Sequence, residues 1–303
     1  MESYRKLAFT EEVESILAEN NKRLKNIFGT HDQFTGRGME GHSHRVVIDD
    51  YPIRVQWLTE EVFKNDLYQD VLKAGSIKDY TIRFNELYPD SDGINEEDVA
   101  NMLFWARCSR DPSFELNYAQ RYVLSVLEEM RHKGVPIRII LLKARQWGGS
   151  TLVQLYMAWI QLFVMEGWYS VIIAQTKDTA KRIKAMYKKV LDNIPGFIYG
   201  VDKLQFAPYE HSASDSIITD PSGNKVRDNV ITVASYENFE STRGMDYAMA
   251  HFSEVAYWKT TDGKSAEQVI TNIDSNILER PLTMEISEST ANGMAGYFYD
   301  EYQ

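Results

Sequence analysis

The sequence holds one cysteine, Cys108, in 303 residues. An intrachain disulfide and a cysteine-rich zinc site are therefore excluded, and a reducing compartment is the natural setting. A basic excess is also missing: 33 Lys and Arg stand against 44 Asp and Glu, for a net charge of −11. Nonspecific coating of nucleic acid needs clustered cations against phosphates, so it is not the general mode here, although a local basic track is allowed. No internal repeat or low-complexity tract occurs. The N-terminal MESYRKLAFTEEVESILAENNKRL is too charged for a secretory signal. The uncharged run from Gln146 to Met165 approaches the ~20 residues of a membrane span. Gly148-Gly149, Gln154 and Gln161 interrupt it, and a buried core helix accounts for it better. At 44% hydrophobic and 25% charged residues, the composition is that of a soluble globular protein of one large domain or two.

Residues 1–110 are polar and mostly helical in pattern. Gly29 to Gly41 reads as a loop, Asp90-Ser91-Asp92-Gly93 as a turn, and Asn95 as the cap of a helix from Glu96. From Asp111 the texture changes. Helical patterns over Leu116–Arg131, Ser150–Met165 and Lys177–Leu191 alternate with short apolar runs at Ile137–Leu142, Ser170–Ala174, Val230–Ala234, Ala248–Phe252 and Leu282–Ile286. The third helix carries Ala180, Ile183, Tyr187 and Val190 on one face. Such alternation predicts an α/β core with a mainly parallel sheet and helices on both faces. Ligands in such sheets bind beyond the carboxyl ends of the strands, where each of the following motifs falls.

Residues 141–151, LLKARQWGGST, follow the first strand. They resemble the phosphate loop G-x-x-x-x-G-K-[ST] with its lysine displaced. Gly148 takes the second glycine and Ser150 the hydroxyl, while Gly149 stands at the usual lysine and Lys143 at the first glycine. A strand, a glycine turn and a helix start converge backbone N–H groups on one point, which suits a phosphate. The Gly148-Gly149 pair permits close approach, Ser150 can serve Mg²⁺, and Lys143 could reach across to supply the charge. In AMAHFSEVAYW, residues 248–258, an apolar strand ends in Ser253 and Glu254 where Asp-Glu is usual. Glu254 can polarise an attacking water. Ser253 can hold a metal-bound water only as a neutral partner, so weaker metal affinity is expected. In EISESTANG, residues 285–293, Ser289 and Thr290 can bond toward a γ-phosphate, with Asn292-Gly293 as a turn. Gln120 can read an adenine edge with Tyr118 stacking beside it, and Arg145 and Arg243 can approach phosphates. A stripe of Lys177, Lys181, Lys184 and Lys188 is either a solvated helix face or a DNA track.

In this order the motifs resemble the ATPase half of the large terminase subunit of tailed bacteriophages. The resemblance rests on Lys143-Ala144-Arg145-Gln146-Trp147-Gly148-Gly149-Ser150-Thr151, on Arg243-Gly244 before Phe252-Ser253-Glu254, on Ser289-Thr290-Ala291-Asn292-Gly293 and on Gln120. It covers roughly Phe114 to Gln303 and implies a RecA-like P-loop core over 113–303, with a mostly helical subdomain over 1–112. It implies ATP and Mg²⁺ as ligands. Nucleotide contacts would come from Tyr118, Gln120, Lys143, Arg145, Gln146, Trp147, Gly148, Gly149, Ser150 and Thr151. Ser150 would hold the metal, with Ser253 acting through water. Glu254, Arg145 and Arg243 would be catalytic, and Ser289, Thr290 and Asn292 would couple hydrolysis to movement. The implied work is translocation of double-stranded DNA into a procapsid in the host cytoplasm, with the portal protein and small terminase subunit as partners. A ring of copies on the procapsid is expected, or a monomer in isolation, with no membrane association. The nuclease domain usual in such subunits is expected to be absent from this chain. A helicase or remodelling ATPase and a degenerate, non-hydrolysing nucleotide fold are the alternatives.

Overall fold

The structure is a computed structural model and describes residues 73–87, 95–96, 118–194, 196–242, 245–261 and 263–303. The chain divides into two compact units, Met1–Glu129 with Asp192–Lys203, and Met130–Leu191 with Leu204–Gln303. Compactness thus divides the chain at Glu129, inside a helix, whereas the change in sequence texture falls near residue 112. The Gly29–Gly41 loop and the turn at residues 90–93 lie outside the described residues.

Among the described residues the first unit holds two α-helices, the second of which runs on past its boundary, and a 3₁₀ turn at Gly196–Tyr199. Helix α1 spans Ile77–Leu87, and Ser76 caps it by accepting the Asp79 N–H at 3.0 Å. Helix α2 begins at Tyr118 and runs to His132, close to the expected Leu116–Arg131. Its Leu124 and Leu127 are fully buried.

The second unit holds a seven-stranded sheet. Its strands are β1 (Ile137–Leu142), β2 (Ser170–Ala174), β3 (Gln205–Pro208), β4 (Asp215–Thr219), β5 (Lys225–Ser235), β6 (Met249–Ser253) and β7 (Met284–Ser289). They lie in the order β1-β7-β6-β2-β5-β4-β3. The first five are mutually parallel, and β4 and β3 add an antiparallel edge. All five apolar runs form strands. The edge hairpin was not expected, because β4 is interrupted by register shifts against β5 and β3 carries Pro208. Proline cannot donate to a ladder and is confined to such edges.

Helix α3 spans Gly149–Trp159 and is buried nearly all round, as its lack of charge requires. It continues into a π-helical turn at Ile160–Val164. The Gln161 carbonyl there accepts from Asn229 Nδ2 at 2.6 Å and from Arg227 at 3.1 and 3.2 Å, so the distorted ladder leaves it satisfied. The run read as one helix to Met165 is therefore a helix plus a π turn. Helix α4, Lys177–Asn193, buries Ala180, Ile183, Tyr187 and Val190 on the predicted face. Helix α5, Ala266–Asp274, starts with a Ser265–Gln268 capping box, and α6 spans Tyr297–Tyr302. Helices α3 and α5 pack against β6, and α6 packs against β1. Among the described residues no helix is long and apolar enough to cross a membrane.

Strand order decides where chemistry can gather. Strands β1, β7 and β6 are neighbours, with Leu142 paired to Ser289 and Ser253 to Glu288. Three segments far apart in sequence therefore leave the sheet side by side at its carboxyl edge: Lys143 onward, Glu254 onward and Thr290 onward.

Candidate functional site

The turn from β1 to α3 has the backbone that its glycines predict. Gly148 adopts φ +86° as the N-cap of α3. A Cβ on Gly149 would lie 2.7 Å from the Trp147 ring. Lysine at that position would push the ring aside, so the cation has to come from elsewhere. Gln146 is also left-handed, at φ +64°, an unfavourable conformation for a non-glycine residue.

Lys143 is that cation. It leaves β1 with its N–H on the Ser289 carbonyl at 2.9 Å, and its side chain is only 10% exposed. Its ammonium crosses the turn to within 3.4 Å of Ser150 Oγ, which it can reach as a donor. It also pairs with Glu254 Oε1 at 3.3 Å and with Glu288 Oε2 at 2.6 Å. The displaced lysine therefore points across the turn at the loop serine.

Glu254 ends β6 in a left-handed conformation, φ +58°. Such strain clusters where a side chain must be aimed. Its Oε2 accepts from the Thr290 N–H at 3.4 Å and from Thr290 Oγ1 at 3.3 Å. The Ala256 N–H donates to Ser289 Oγ at 3.2 Å, and Asn292 Nδ2 donates to the Ala256 carbonyl at 2.8 Å. The segments after β6 and β7 are thus stitched together, with Ser289, Thr290 and Asn292 all in the seam. Tyr257 joins it too. Its hydroxyl bonds with Thr290 and with Arg145, and these contacts hold its pKa below the ordinary phenol value.

One residue at the centre was not anticipated. Glu288 is completely buried, yet it is ionisable. Its Oε1 accepts from Ser150 Oγ at 2.7 Å and from Ser253 Oγ at 2.7 Å, with His251 Nε2 at 3.3 Å. Behind it, Gln154 Nε2 lies 2.8 Å from His251 Nδ1. Burial alone would raise the Glu288 pKa, but the His251 N–H and the Lys143 ammonium outweigh it and hold the carboxyl at about 2. Ser253, which the sequence offers only as a neutral partner for a metal-bound water, thus has a carboxylate beside it, supplied by the neighbouring strand β7. The available signal was a glutamate in SES at the carboxyl end of a strand that parallel packing buries.

The other expected site residues differ in setting. Thr151 is buried, with its hydroxyl on the Met186 sulfur at 3.5 Å, because the helix turns it inward. Trp147 is buried beside Gly149, whereas Arg145 and Gln146 are exposed. Gln120 is buried within α2, which Tyr118 opens; both belong to the first unit. Arg243 lies outside the described residues. In the lysine stripe, Lys184 is half-buried: it donates to Ser216 Oγ, stacks 4.8 Å over the Phe206 ring, and burial lowers its pKa. Lys177 reaches Ser214 Oγ at 3.1 Å. The edge hairpin occupies these two members of the stripe.

Comparison with known proteins is uneven. No family model matches the chain, and no curated protein matches it. Solved structures of phage large terminases do. A mutant ATPase domain of the Thermus phage P74-26 large terminase is 16% identical at a TM-score of 0.39, covering 58% of this chain and 67% of that one. The HK97 bacteriophage large terminase is 15% identical at a TM-score of 0.48, covering 64% of this chain and 38% of that one. A large terminase from a thermophilic bacteriophage in complex with ADP is 16% identical at a TM-score of 0.40, covering 62% and 42%. The chain spans less than half the length of the last two. Likeness at this level carries no chemistry, which rests on the residues themselves.

Proposed function

We propose that this chain is an ATPase whose hydrolysis site lies at the ends of β1, β6 and β7, and that it serves a motor moving double-stranded DNA into a viral procapsid. The observation that carries the reading is the Lys143 ammonium at 3.4 Å from Ser150 Oγ, spanning a strand–glycine–helix turn with Glu254 at 3.3 Å. Backbone amides of the turn and the start of α3 would cradle the phosphates, and Lys143 would neutralise them. Arg145, exposed and bonded to Tyr257, is free to swing toward the same charge.

The donor set also suits Mg²⁺, which prefers hard oxygens and borrows most of its ligands from substrate phosphates and water. Ser150 would hold it. The metal would supply charge neutralisation on the terminal phosphates. Glu254 would take the proton from the attacking water as its oxygen bonds to the γ-phosphorus and the bridging oxygen leaves with ADP. Because Thr290 holds Glu254 through both its N–H and its hydroxyl, any displacement of the 289–292 segment reaches the general base. That contact supports the coupling role of Ser289, Thr290 and Asn292. The portal protein, the small terminase subunit, a ring of copies and residence in the host cytoplasm follow from the motor reading. Arg243 would be a second arginine to approach the phosphates.

The test uses two variants. Glu254→Gln should bind ATP and lose hydrolysis by ~10²-fold or more, the usual range for a general base. Lys143→Ala should lose nucleotide affinity. Normal turnover in the first would refute the ATPase assignment, and turnover indifferent to double-stranded DNA would count against the motor.

A further inference from the structure

Ser253 stands where an acidic strand of this kind carries a carboxylate, and a serine supplies no charge. The neighbouring strand supplies it. Register pairs Ser253 with Glu288, and one oxygen of Glu288 accepts both the Ser253 and the Ser150 hydroxyls, each at 2.7 Å. A carboxylate at 0% exposure is costly unless a cation faces it. Here the cation is the Lys143 ammonium, 2.6 Å from the other oxygen. The same ammonium has Glu254 Oε1 at 3.3 Å and Ser150 Oγ at 3.4 Å. It therefore sits among two carboxylates and the loop hydroxyl, a set of hard oxygens that Mg²⁺ would also select.

Resting on the nucleotide reading above, we propose that Glu288 is the carboxylate that holds the nucleotide-bound divalent cation, relocated by one strand from position 253, and that Lys143 is the stand-in for that cation. Two positive centres cannot share one cage. With a metal–nucleotide bound, Lys143 would give up its carboxylate partners for phosphate oxygens, and Glu288 would be left to hold the cation. Ser253 and His251 then act as positioning residues, since both bond to the carboxylate. A purely structural Lys143–Glu288 pair would stabilise the fold but would not make nucleotide affinity depend on metal.

Calorimetry of ADP against the chain, in EDTA and in Mg²⁺, separates these outcomes, with Mn²⁺ paramagnetic resonance as the direct metal readout. In the wild type Mg²⁺ should tighten ADP. In Glu288→Gln that tightening and the Mn²⁺ signal should fall by roughly tenfold or more, the usual cost of losing a metal-supporting partner. Metal-free ADP should bind at least as well as before, because Lys143 has lost a competing partner. Ser253→Asp combined with Glu288→Gln returns the carboxylate to β6 and should restore the metal response. If Glu288→Gln does not fold, Glu288→Asp keeps the charge with a shorter reach and should weaken Mn²⁺ without abolishing it. An unchanged Mg²⁺ response in the folded Glu288 variant overturns the proposal, as does wild-type ADP binding that ignores Mg²⁺. Absence of ADP binding in the wild type under both conditions would instead remove the nucleotide reading beneath it.

Discussion

Glu285 and Glu288 share strand β7 and both lie largely out of water, yet their protons behave in opposite ways. Burial is the largest influence on each and disfavours charge on each. At Glu285 the neighbours add to it: Asp274 shares a hydrogen bond and contributes like charge, Arg138 offsets only part, and the pKa is pushed up to about 8. At Glu288 the neighbours reverse it: His251, Lys143 and two hydroxyls hold the carboxyl at about 2. The strand supplies depth, and the partner strands supply the sign. The charged carboxylate is the one at the carboxyl end, beside the phosphate-loop turn, and the neutral one lies further back against α5, beside Asp274.

The largest effect should come from removing the cation. Lys143→Met leaves Glu288 buried without its counter-charge and should cost about 3 kcal/mol near neutral pH, in the range seen when one partner of a buried pair is deleted. Lys143→Met with Glu288→Gln should recover most of that loss, a coupling that chemical denaturation of the four forms measures. Independent, additive effects would erase the contrast between the two glutamates.

The pH profile should show both limbs. The folded pKa of Glu285 is raised, so its contribution is complete below the ordinary carboxylate range and is lost as pH rises through about 8. That of Glu288 is depressed, so its contribution is present above the ordinary range and is lost as pH falls toward about 2. Glu285→Gln should flatten the alkaline limb and raise Tm there by a few degrees, while leaving the acid limb intact. Thermal melts across pH report both limbs, and an unchanged alkaline slope in Glu285→Gln would refute the raised pKa of Glu285.

Gly149→Ala should have the smallest effect. Its Cβ meets the Trp147 ring at 2.7 Å, and overpacking of this kind costs about 1–2 kcal/mol. The variant shifts the turn that delivers Ser150 to Glu288 and does not touch the surroundings of Glu285. Melts of this variant should therefore fall by a similar amount at every pH, with the alkaline slope of Glu285 unchanged.

Much of the site was open to reading along the chain. Lys143, Gly148, Gly149 and Ser150 lie within one turn, so their relation is local and their spacing is enough to suggest it. Glu254 and the 289–292 segment could be placed at strand ends because apolar runs of strand length preceded them. Glu288 could not be singled out. As a sequence feature it is a glutamate between two serines, and only the adjacency of β7 to both β1 and β6 makes it the meeting point of Lys143, Ser150 and Ser253. The inward turn of Thr151 and the docking of Lys184 on the edge hairpin were hidden for the same reason: each depends on a packing partner distant in sequence.

The sequence by itself determined the alternating α/β plan, the glycine turn and the kinds of side chain at the strand ends, because these depend on periodicity, backbone freedom and spacing over a few residues. Tertiary structure alone decided which carboxylate is charged, which lysine oxygens surround and which strand supplies the acid that position 253 lacks. Those outcomes depend on electrostatics over a few ångströms between segments as far as 138 residues apart, and strand order is what brings such segments together.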